Sequence, residues 1–177
     1  MDKLKLIFPT EEYLPEVAAY REEMLLDGCD FAGCSNLKNQ TEISEWFEEA
    51  KNLLHVETAP EGWVQSTQFL AIREADGALV GMIQVRHEIE SSHYLRNYGG
   101  HIGYSVRPKE RRKGYATEML RQALEFCRSL GIKNVLMTCW PYNEGSKRAI
   151  LNNGGVFESE RYEPYEDDMF HRYWINL

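Results

Sequence analysis

The sequence has no long hydrophobic run and few cysteines, and each scarcity excludes a class of protein. No stretch approaches the roughly 18 apolar residues of a membrane-spanning helix. The apolar run near the N-terminus is too short for a signal peptide. We therefore expect a cytoplasmic protein with no membrane partner. The four cysteines form no C-x-x-C pair and no histidine follows them at zinc-finger spacing, so no metal site is predicted.

The cysteines fall into two groups according to their surroundings in the sequence. Cys127 and Cys139 lie on predicted apolar faces and are interpreted as small core residues. Cys29 and Cys34 lie in a predicted loop, where a thiol could be reactive. No further pattern indicates a role for that pair.

Positive charge is also scarce, since 28 acidic residues face 20 basic ones and the net charge is −8. A broad basic face is usual in nucleic-acid-binding proteins, so we expect no nucleic-acid partner. Apolar residues make up 43% of the 177 residues, enough for a hydrophobic core. No repeat or linker divides the chain, and we expect residues 1–177 to form one domain.

Hydrophobic periodicity predicts an α/β fold of the α+β kind, with a mixed central sheet flanked by helices. The predicted order is βααβββαβαββ. Thr10 is the expected N-cap of the first helix, and Asp76-Gly77 is typical of a hairpin between two strands. A strand is predicted from Tyr98 to Val106, and the clearest helical pattern runs from Gly114 to Leu130.

A basic segment, RPKERRK at residues 107–113, lies between that strand and that helix; five of its seven residues are basic and one is acidic. The first N–H groups of a helix lack partners, and the helix dipole makes them attractive to anions. Gly114 has no Cβ, so a phosphate could approach the backbone closely. Charge alone would equally suit a solvated turn. The strand and helix around the segment favour a pyrophosphate site.

Two common nucleotide-binding motifs are missing from the chain. It has no G-x-G-x-x-G, which argues against a Rossmann dinucleotide site. It has no G-K-[ST] at the spacing of a Walker A loop, which argues against nucleotide hydrolysis. The predicted anion site therefore belongs to another class.

Residues 111–116, RRKGYA, match the [Q/R]-x-x-G-x-[G/A] acyl-CoA motif, and the chain resembles the GNAT N-acetyltransferase superfamily, in particular its small bacterial members. GYSVRP before the loop and NEGSKRAILNNGG after it resemble the family's fourth strand and fourth helix. The resemblance implies the GNAT acyl-CoA N-acyltransferase fold. It also implies acetyl transfer from acetyl-CoA, the acyl-donor substrate, to a primary amine by direct attack in a ternary complex. The alternative is a non-catalytic acyl-CoA-binding or sensing module of the same fold.

The resemblance further implies which residues bind the coenzyme. Strand residues that would pair with the pantetheine arm are Ser105, Val106 and Arg107. Loop residues whose amides would hold the pyrophosphate are Arg111, Arg112, Lys113, Gly114, Tyr115, Ala116 and Thr117. At the next helix, Asn143 would contact pantetheine, with Ser146 nearby. Asn143 would also suit a simple N-cap.

For catalysis, the resemblance implies that the N–H near Val106 stabilises the oxyanion. His101 is the first candidate base, because imidazole titrates near neutral pH, although a histidine packed in the sheet fits equally well. Glu88 is a weaker candidate. Many relatives have a tyrosine seven residues after the helix asparagine, and its hydroxyl acts as the general acid that protonates the thiolate. This chain has Ile150 at that position. Possible substitutes are Tyr142, Ser146 and water.

The resemblance places the amine acceptor between the loop at Asp27–Gln40 and the segment Glu158–His171. The segment is acidic, which predicts either a solubilising rim, the favoured reading, or attraction of a cationic amine. Its acidic residues are Glu158, Glu160, Glu163, Glu166, Asp167 and Asp168. Aromatic residues expected in the core and sheet rather than in a substrate cage are Tyr162, Tyr165, Phe170, Tyr173 and Trp174. Strand edges could also pair to form a homodimer.

Overall fold

A computed structural model describes residues 2–164 and 166–177, so the prediction for Tyr165 lies outside the described residues. The strands and helices follow the predicted order βααβββαβαββ, which confirms the α/β fold. Their bounds are β1 Leu4–Ile7, α1 Leu14–Leu26, α2 Ile43–Asn52, β2 Ser66–Arg73, β3 Leu79–Arg86, β4 Ile102–Val106, α3 Tyr115–Ser129, β5 Asn134–Cys139, α4 Glu144–Asn152, β6 Val156–Glu163 and β7 Asp168–Asn176.

The strands form two antiparallel sheets rather than one continuous sheet. One has the order β1-β2-β3-β4 and the other has the order β5-β7-β6. The sheets meet where His101 N donates to Leu136 O at 2.9 Å and Leu136 N donates to His101 Nδ1 at 3.0 Å. Beyond this junction, β4 pairs only with β3 among the described strands. The other edge of β4 is therefore left unpaired by any sheet.

Two predicted boundaries are wrong for local reasons. Thr10 makes no side-chain capping bond, because a short 3₁₀ turn at Glu11–Tyr13 precedes α1. Residues 98–101 are predicted as strand, but β4 begins only at Ile102. Residues 98 and 99 lie instead in a π-helical turn at Leu95–Gly99. Other groups bind the backbone there: Thr138 Oγ1 donates to Tyr98 O, and Arg86 donates to the carbonyls of the two following glycines.

The core has two parts, one on each side of the four-stranded sheet. The first packs α3 and α4 on strands of both sheets and contains Cys127 and Cys139, as predicted. The second packs α1, α2 and their connecting loop on β2 and β3. Among the aromatic residues of the last two strands, Phe170 and Tyr173 are buried, whereas Tyr162 is exposed. Strand β4 lies between the two parts, and its two faces contact different neighbours.

Every helix within residues 2–164 and 166–177 falls short of the length and apolar character that crossing a membrane requires.

Candidate active site

The unpaired edge of β4 presents its backbone groups at alternate residues. Arg107 N donates to Val80 O, and Arg86 N donates to His101 O, so every second residue of β4 bonds to β3. By the same alternation, the N–H and C=O groups of Tyr104 and Val106 point to the free edge. Of the three strand residues expected to pair with pantetheine, only Val106 faces this edge. Ser105 and Arg107 bond toward β3.

The turn between β4 and α3 has the backbone of an anion-binding loop. Arg112 and Gly114 both adopt left-handed conformations, with φ of 64° and 85°. α3 then begins at Tyr115, and no side chain caps it. The amides of Tyr115 to Thr117 cannot bond within the helix, and the helix dipole adds partial positive charge at the same point. A pyrophosphate-binding role is predicted for these same amides.

The basic side chains of the turn are mostly paired with acids. Arg107 lies 3.4 Å from Glu16 and 3.5 Å from Glu23. Lys113 lies 2.9 Å from Glu110, which also accepts from Arg73 at 2.8 Å. Attraction for an anion therefore depends less on these side chains than the sequence predicts.

Arg111 joins the turn to the loop between α1 and α2. Its guanidinium donates to Asp27 at 2.9 Å, to Cys29 Sγ at 2.6 Å and to Val106 O at 3.1 Å. The pKa of the Cys29 thiol is raised, chiefly by burial and also by Asp27. Cys29 is thus not activated as the nucleophile that its loop position allowed.

Tyr115 has a structural contribution beyond its backbone amide. Its side chain is buried, and its hydroxyl donates to Asp2 at 3.1 Å and accepts from Arg73 at 3.3 Å. This packing fixes the first turn of α3 against β2.

Tyr104, which sequence reasoning missed, reaches the first turn of α4. Its hydroxyl lies 2.8 Å from Ser146 Oγ. Burial raises the pKa of Tyr104, so its hydroxyl is protonated at neutral pH. Asn143 accepts from Ser146 N at 3.0 Å and is the N-cap of α4. Ile150, one turn further along α4, is buried in the core and carries no hydroxyl. The hydroxyl beside this helix belongs instead to Tyr104 of β4.

His101 lies at the junction of the two sheets and is only 7% exposed. Its Nδ1 accepts from Leu136 N, as described above. Burial, followed by the charge of Arg86, lowers the pKa of His101 to about 4, against the opposing effect of Glu88. A general base works best with a pKa near the working pH. The burial and low pKa of His101 therefore favour the interpretation of this residue as a histidine packed in the sheet over its interpretation as the base. Glu88 itself accepts from the backbone and hydroxyl of Ser91.

The face of β4 opposite to Tyr104 packs against α1 and the α1–α2 loop. Tyr20 donates to Ser105 Oγ at 2.9 Å, and Cys34 Sγ lies 3.1 Å from the same oxygen. Burial raises the pKa of the Cys34 thiol to about 12, so this cysteine is also unreactive. A Cβ on Gly33 would lie 2.1 Å from Gly103 O, which shows how closely the loop and strand backbones approach.

Aromatic residues cluster where β5 ends and β7 begins. Trp140 contacts Phe170 with ring centroids 3.9 Å apart and stacks on Tyr142 at 6.0 Å. The side chain of Tyr142, one of the candidates for the general acid, is 69% exposed. In the hairpin of β6 and β7, Glu158 pairs with Arg172 at 2.6 Å, which lowers the pKa of Glu158 to about 2.

Comparisons with known proteins agree with this architecture. A family model described as an acetyltransferase (GNAT) domain matches residues 3–156. No curated protein gave a significant match. The chain is similar in structure to the microcin C7 self-immunity acetyltransferase MccE in complex with acetyl-CoA and AMP, with TM-score 0.72, 16% identity, and coverage of 100% of this chain and 94% of that one.

Two further similar structures have bacterial sources. An acetyltransferase from Salmonella typhimurium that modifies the N-terminal serine of ribosomal protein L7/L12 gives TM-score 0.69 at 15% identity, covering 98% of this chain and 95% of that one. RimJ from Mycobacterium smegmatis in complex with CoA-disulfide gives TM-score 0.68 at 18% identity, covering 98% and 82%. The structures show a shared fold, the family model covers most of the sequence, and the chain therefore belongs to the GNAT acetyltransferase family.

Proposed function

We propose that this protein transfers the acetyl group of acetyl-CoA to a primary amine, by direct attack within a ternary complex. The free edge of β4, followed by the left-handed turn into the uncapped α3, carries the proposal. The pantetheine arm would lie along that edge as an added strand, and the amides at 112–117 would hold the pyrophosphate. No metal is required by this chemistry.

The oxyanion and the leaving thiolate would be stabilised from β4. The N–H of Val106 points to the free edge and needs no special side chain to polarise the thioester carbonyl. The Tyr104 hydroxyl and Ser146 Oγ form a hydrogen-bonded pair at the adjacent first turn of α4. These protonated hydroxyls would stabilise the departing thiolate. They would take over the role of the tyrosine that many relatives have at the position of Ile150.

The acceptor would enter from the side of the α1–α2 loop and the β6–β7 hairpin. Structures similar in fold include a ribosomal-protein N-terminal acetyltransferase and a spermidine N-acetyltransferase chimera, so peptide and polyamine acceptors are both reasonable starting points. His101 is proposed to hold the two sheets together rather than to remove the proton of the amine.

Calorimetry with acetyl-CoA, followed by a thiol-release assay over a panel of amines, tests the proposal. The informative variant is Gly114→Val, because φ is 85° there and a β-branched residue strains in the left-handed region by about 1–2 kcal/mol. We expect acetyl-CoA to bind at least about tenfold more weakly.

Gly131→Val is the matched control. Gly131 lies at the other end of α3, has φ of 79°, and has no atom within 4 Å of an added Cβ. It should lose comparable stability but keep acetyl-CoA affinity. Absence of acetyl-CoA binding by the wild-type protein would contradict the proposal. Tight binding without thiol release for any amine would support the non-catalytic acyl-CoA-binding module instead.

A further inference from the structure

Four connecting segments bring acidic and aromatic side chains close to one another. The hairpin is fixed to the β3–β4 connection, since Arg172 Nη1 donates to Arg96 O at 2.9 Å and to Asn97 O at 2.6 Å. On the other side, Phe170 of β7 contacts Trp140, which follows β5. The hairpin therefore lies between these two segments.

The same acids act on tyrosines from two different segments. The pKa of Tyr94 is raised, first by partial burial and then by the charges of Glu163, Glu166 and Asp30, although Arg86 opposes them. The pKa of Tyr142 is likewise raised, after desolvation, by Asp168, Asp30 and Glu166. Glu166 and Asp30 act on both tyrosines, so these two acids lie near both. Asp30 comes from the α1–α2 loop, so that loop is the fourth segment of the group.

Glu163 differs from the other acids of the hairpin. Its side chain is fully buried, with 0% exposure. One oxygen, Oε2, accepts from Glu166 N at 2.6 Å, whereas Oε1 is buried without a hydrogen-bond partner among the described residues. By contrast, Glu158 pairs with Arg172, and Glu160 lies 2.9 Å from His171 on the other face of the hairpin.

A buried carboxylate oxygen without a partner is unfavourable for folding, so its presence points to a ligand that supplies the missing donor. Arg86, the cation that acts on Tyr94, has Nη1 committed to Gly99 O and Gly100 O. A basic side chain paired with Glu163 is not found among residues 2–164 and 166–177. A donor from outside the described residues, such as a cation, would supply the missing partner.

We propose that Glu163 binds an ammonium group of the acceptor, and that the acceptor is an alkyl amine with a second positive charge. This inference rests on the proposed acetyl transfer and names its substrate class. An ammonium would donate to Glu163 Oε1, and the surrounding carboxylates would favour a dication over a monocation. Trp140 and Tyr142 offer aromatic faces for the methylene chain and for a cation.

The test compares two amines of equal length, 1,4-diaminobutane and 4-amino-1-butanol, in the wild-type protein and in Glu163→Gln. Calorimetry measures the binding of each amine to the protein, alone and loaded with CoA, and thiol release measures KM and kcat. For the wild type we expect the diamine to bind about tenfold more tightly, the effect of one charge-assisted hydrogen bond. Glu163→Gln should remove this preference and leave acetyl-CoA affinity unchanged.

Glu160→Gln is the matched control, because it makes the same change on the same strand but on the opposite face. It should keep the preference for the diamine. Glutamine at 163 can still accept from Glu166 N, and we expect its thermal midpoint to equal or exceed that of the wild type.

Equal binding of the two amines by the wild type would overturn the inference, as would a diamine preference that survives in Glu163→Gln. Failure of acetyl transfer is detected separately. Loss of acetyl-CoA binding or of thiol release would contradict the proposed enzyme, while the calorimetric amine preference would still report on Glu163.

Discussion

The two faces of β4 differ in what packs against them. On one face, Gly103 contacts the backbone of the α1–α2 loop at Gly33, and Ser105 accepts a hydrogen bond from the hydroxyl of Tyr20 in α1. On the other face, Tyr104 crosses to the first turn of α4 and bonds to Ser146. One strand thus separates the proposed acceptor side from the proposed coenzyme side.

This difference shows how five residues can serve two sides of one site. Small residues on the acceptor face let a loop approach the strand backbone, whereas the large residue on the coenzyme face reaches across a gap. The free edge between the faces keeps its backbone groups available. Changes to the two faces should therefore affect different measurements.

The largest effect is expected at the acceptor face, from Gly33→Ala. Its Cβ would lie 2.1 Å from Gly103 O and 2.4 Å from Gly103 C, and φ of 74° adds strain. Neither backbone can move without displacing the loop or β4. We expect the free energy of unfolding to fall by about 4 kcal/mol, measured by urea denaturation.

Gly28→Ala controls for the strain alone. Gly28 lies in the same loop with φ of 66°, but no atom lies within 4 Å of an added Cβ. It should cost about 1 kcal/mol. If the two variants lose equal stability, the close contact between the loop and β4 does not exist as described.

The next largest effect is expected on the pH dependence of stability, and it comes from His101, the residue directly before β4. Its pKa is about 4 in the folded protein and about 6.5 when unfolded, so below pH 6.5 the unfolded state binds more protons. Stability from this group is therefore complete above pH 6.5 and is lost as the pH falls toward 4. In His101→Asn, which can still accept from Leu136 N, this loss should disappear. The difference between the two proteins should change by up to about 3 kcal/mol between pH 7 and pH 4.

The same variant separates the two readings of His101. Its thiol-release rate at pH 7 to 8 should stay within about twofold of the wild-type rate, because a side chain with this pKa is a poor base there. A large loss of kcat, together with loss of a titration in the pH profile, would restore His101 as the base. Comparing unfolding curves of the two proteins at each pH cancels the contributions of the carboxylates.

The order of elements could be predicted from the sequence because it depends on local periodicity. Side chains alternate along any strand, so the predicted strand already implies that Gly103 and Ser105 share one face, and the glycine before α3 indicated a turn. The sequence could not show what lies opposite each face, since Tyr104 and Ser146 are 42 residues apart. Contacts over such distances depend on how the two sheets meet.

Charge patterns were the least reliable guide. The basic segment at residues 107–113 indicated strong attraction for anions, but Arg107 and Arg111 pair with acids from α1 and from the residue that follows it. The acidic hairpin indicated a solubilising rim, yet Glu163 is buried within it. Pairing and burial are properties of the folded chain, so neither was visible in the count of charges.

The smallest effect is expected on the coenzyme face, from Tyr104→Phe. The change removes only the hydroxyl that bonds to Ser146, and Ser146 remains to donate to the thiolate. We expect kcat for thiol release to fall about tenfold, while the KM for acetyl-CoA stays within about twofold. Stability should fall by about 1 kcal/mol for the lost hydrogen bond.

Tyr20→Phe makes the same chemical change on the acceptor face, where the hydroxyl bonds to Ser105. Its loss of stability should be similar, but kcat with a saturating amine should not change. Equal losses of kcat in both variants would mean that the hydroxyl of Tyr104 acts only through packing. A loss confined to Tyr104→Phe would mean that the leaving thiolate lies on that face, because only there would a lost donor alter the reaction and not merely the fold.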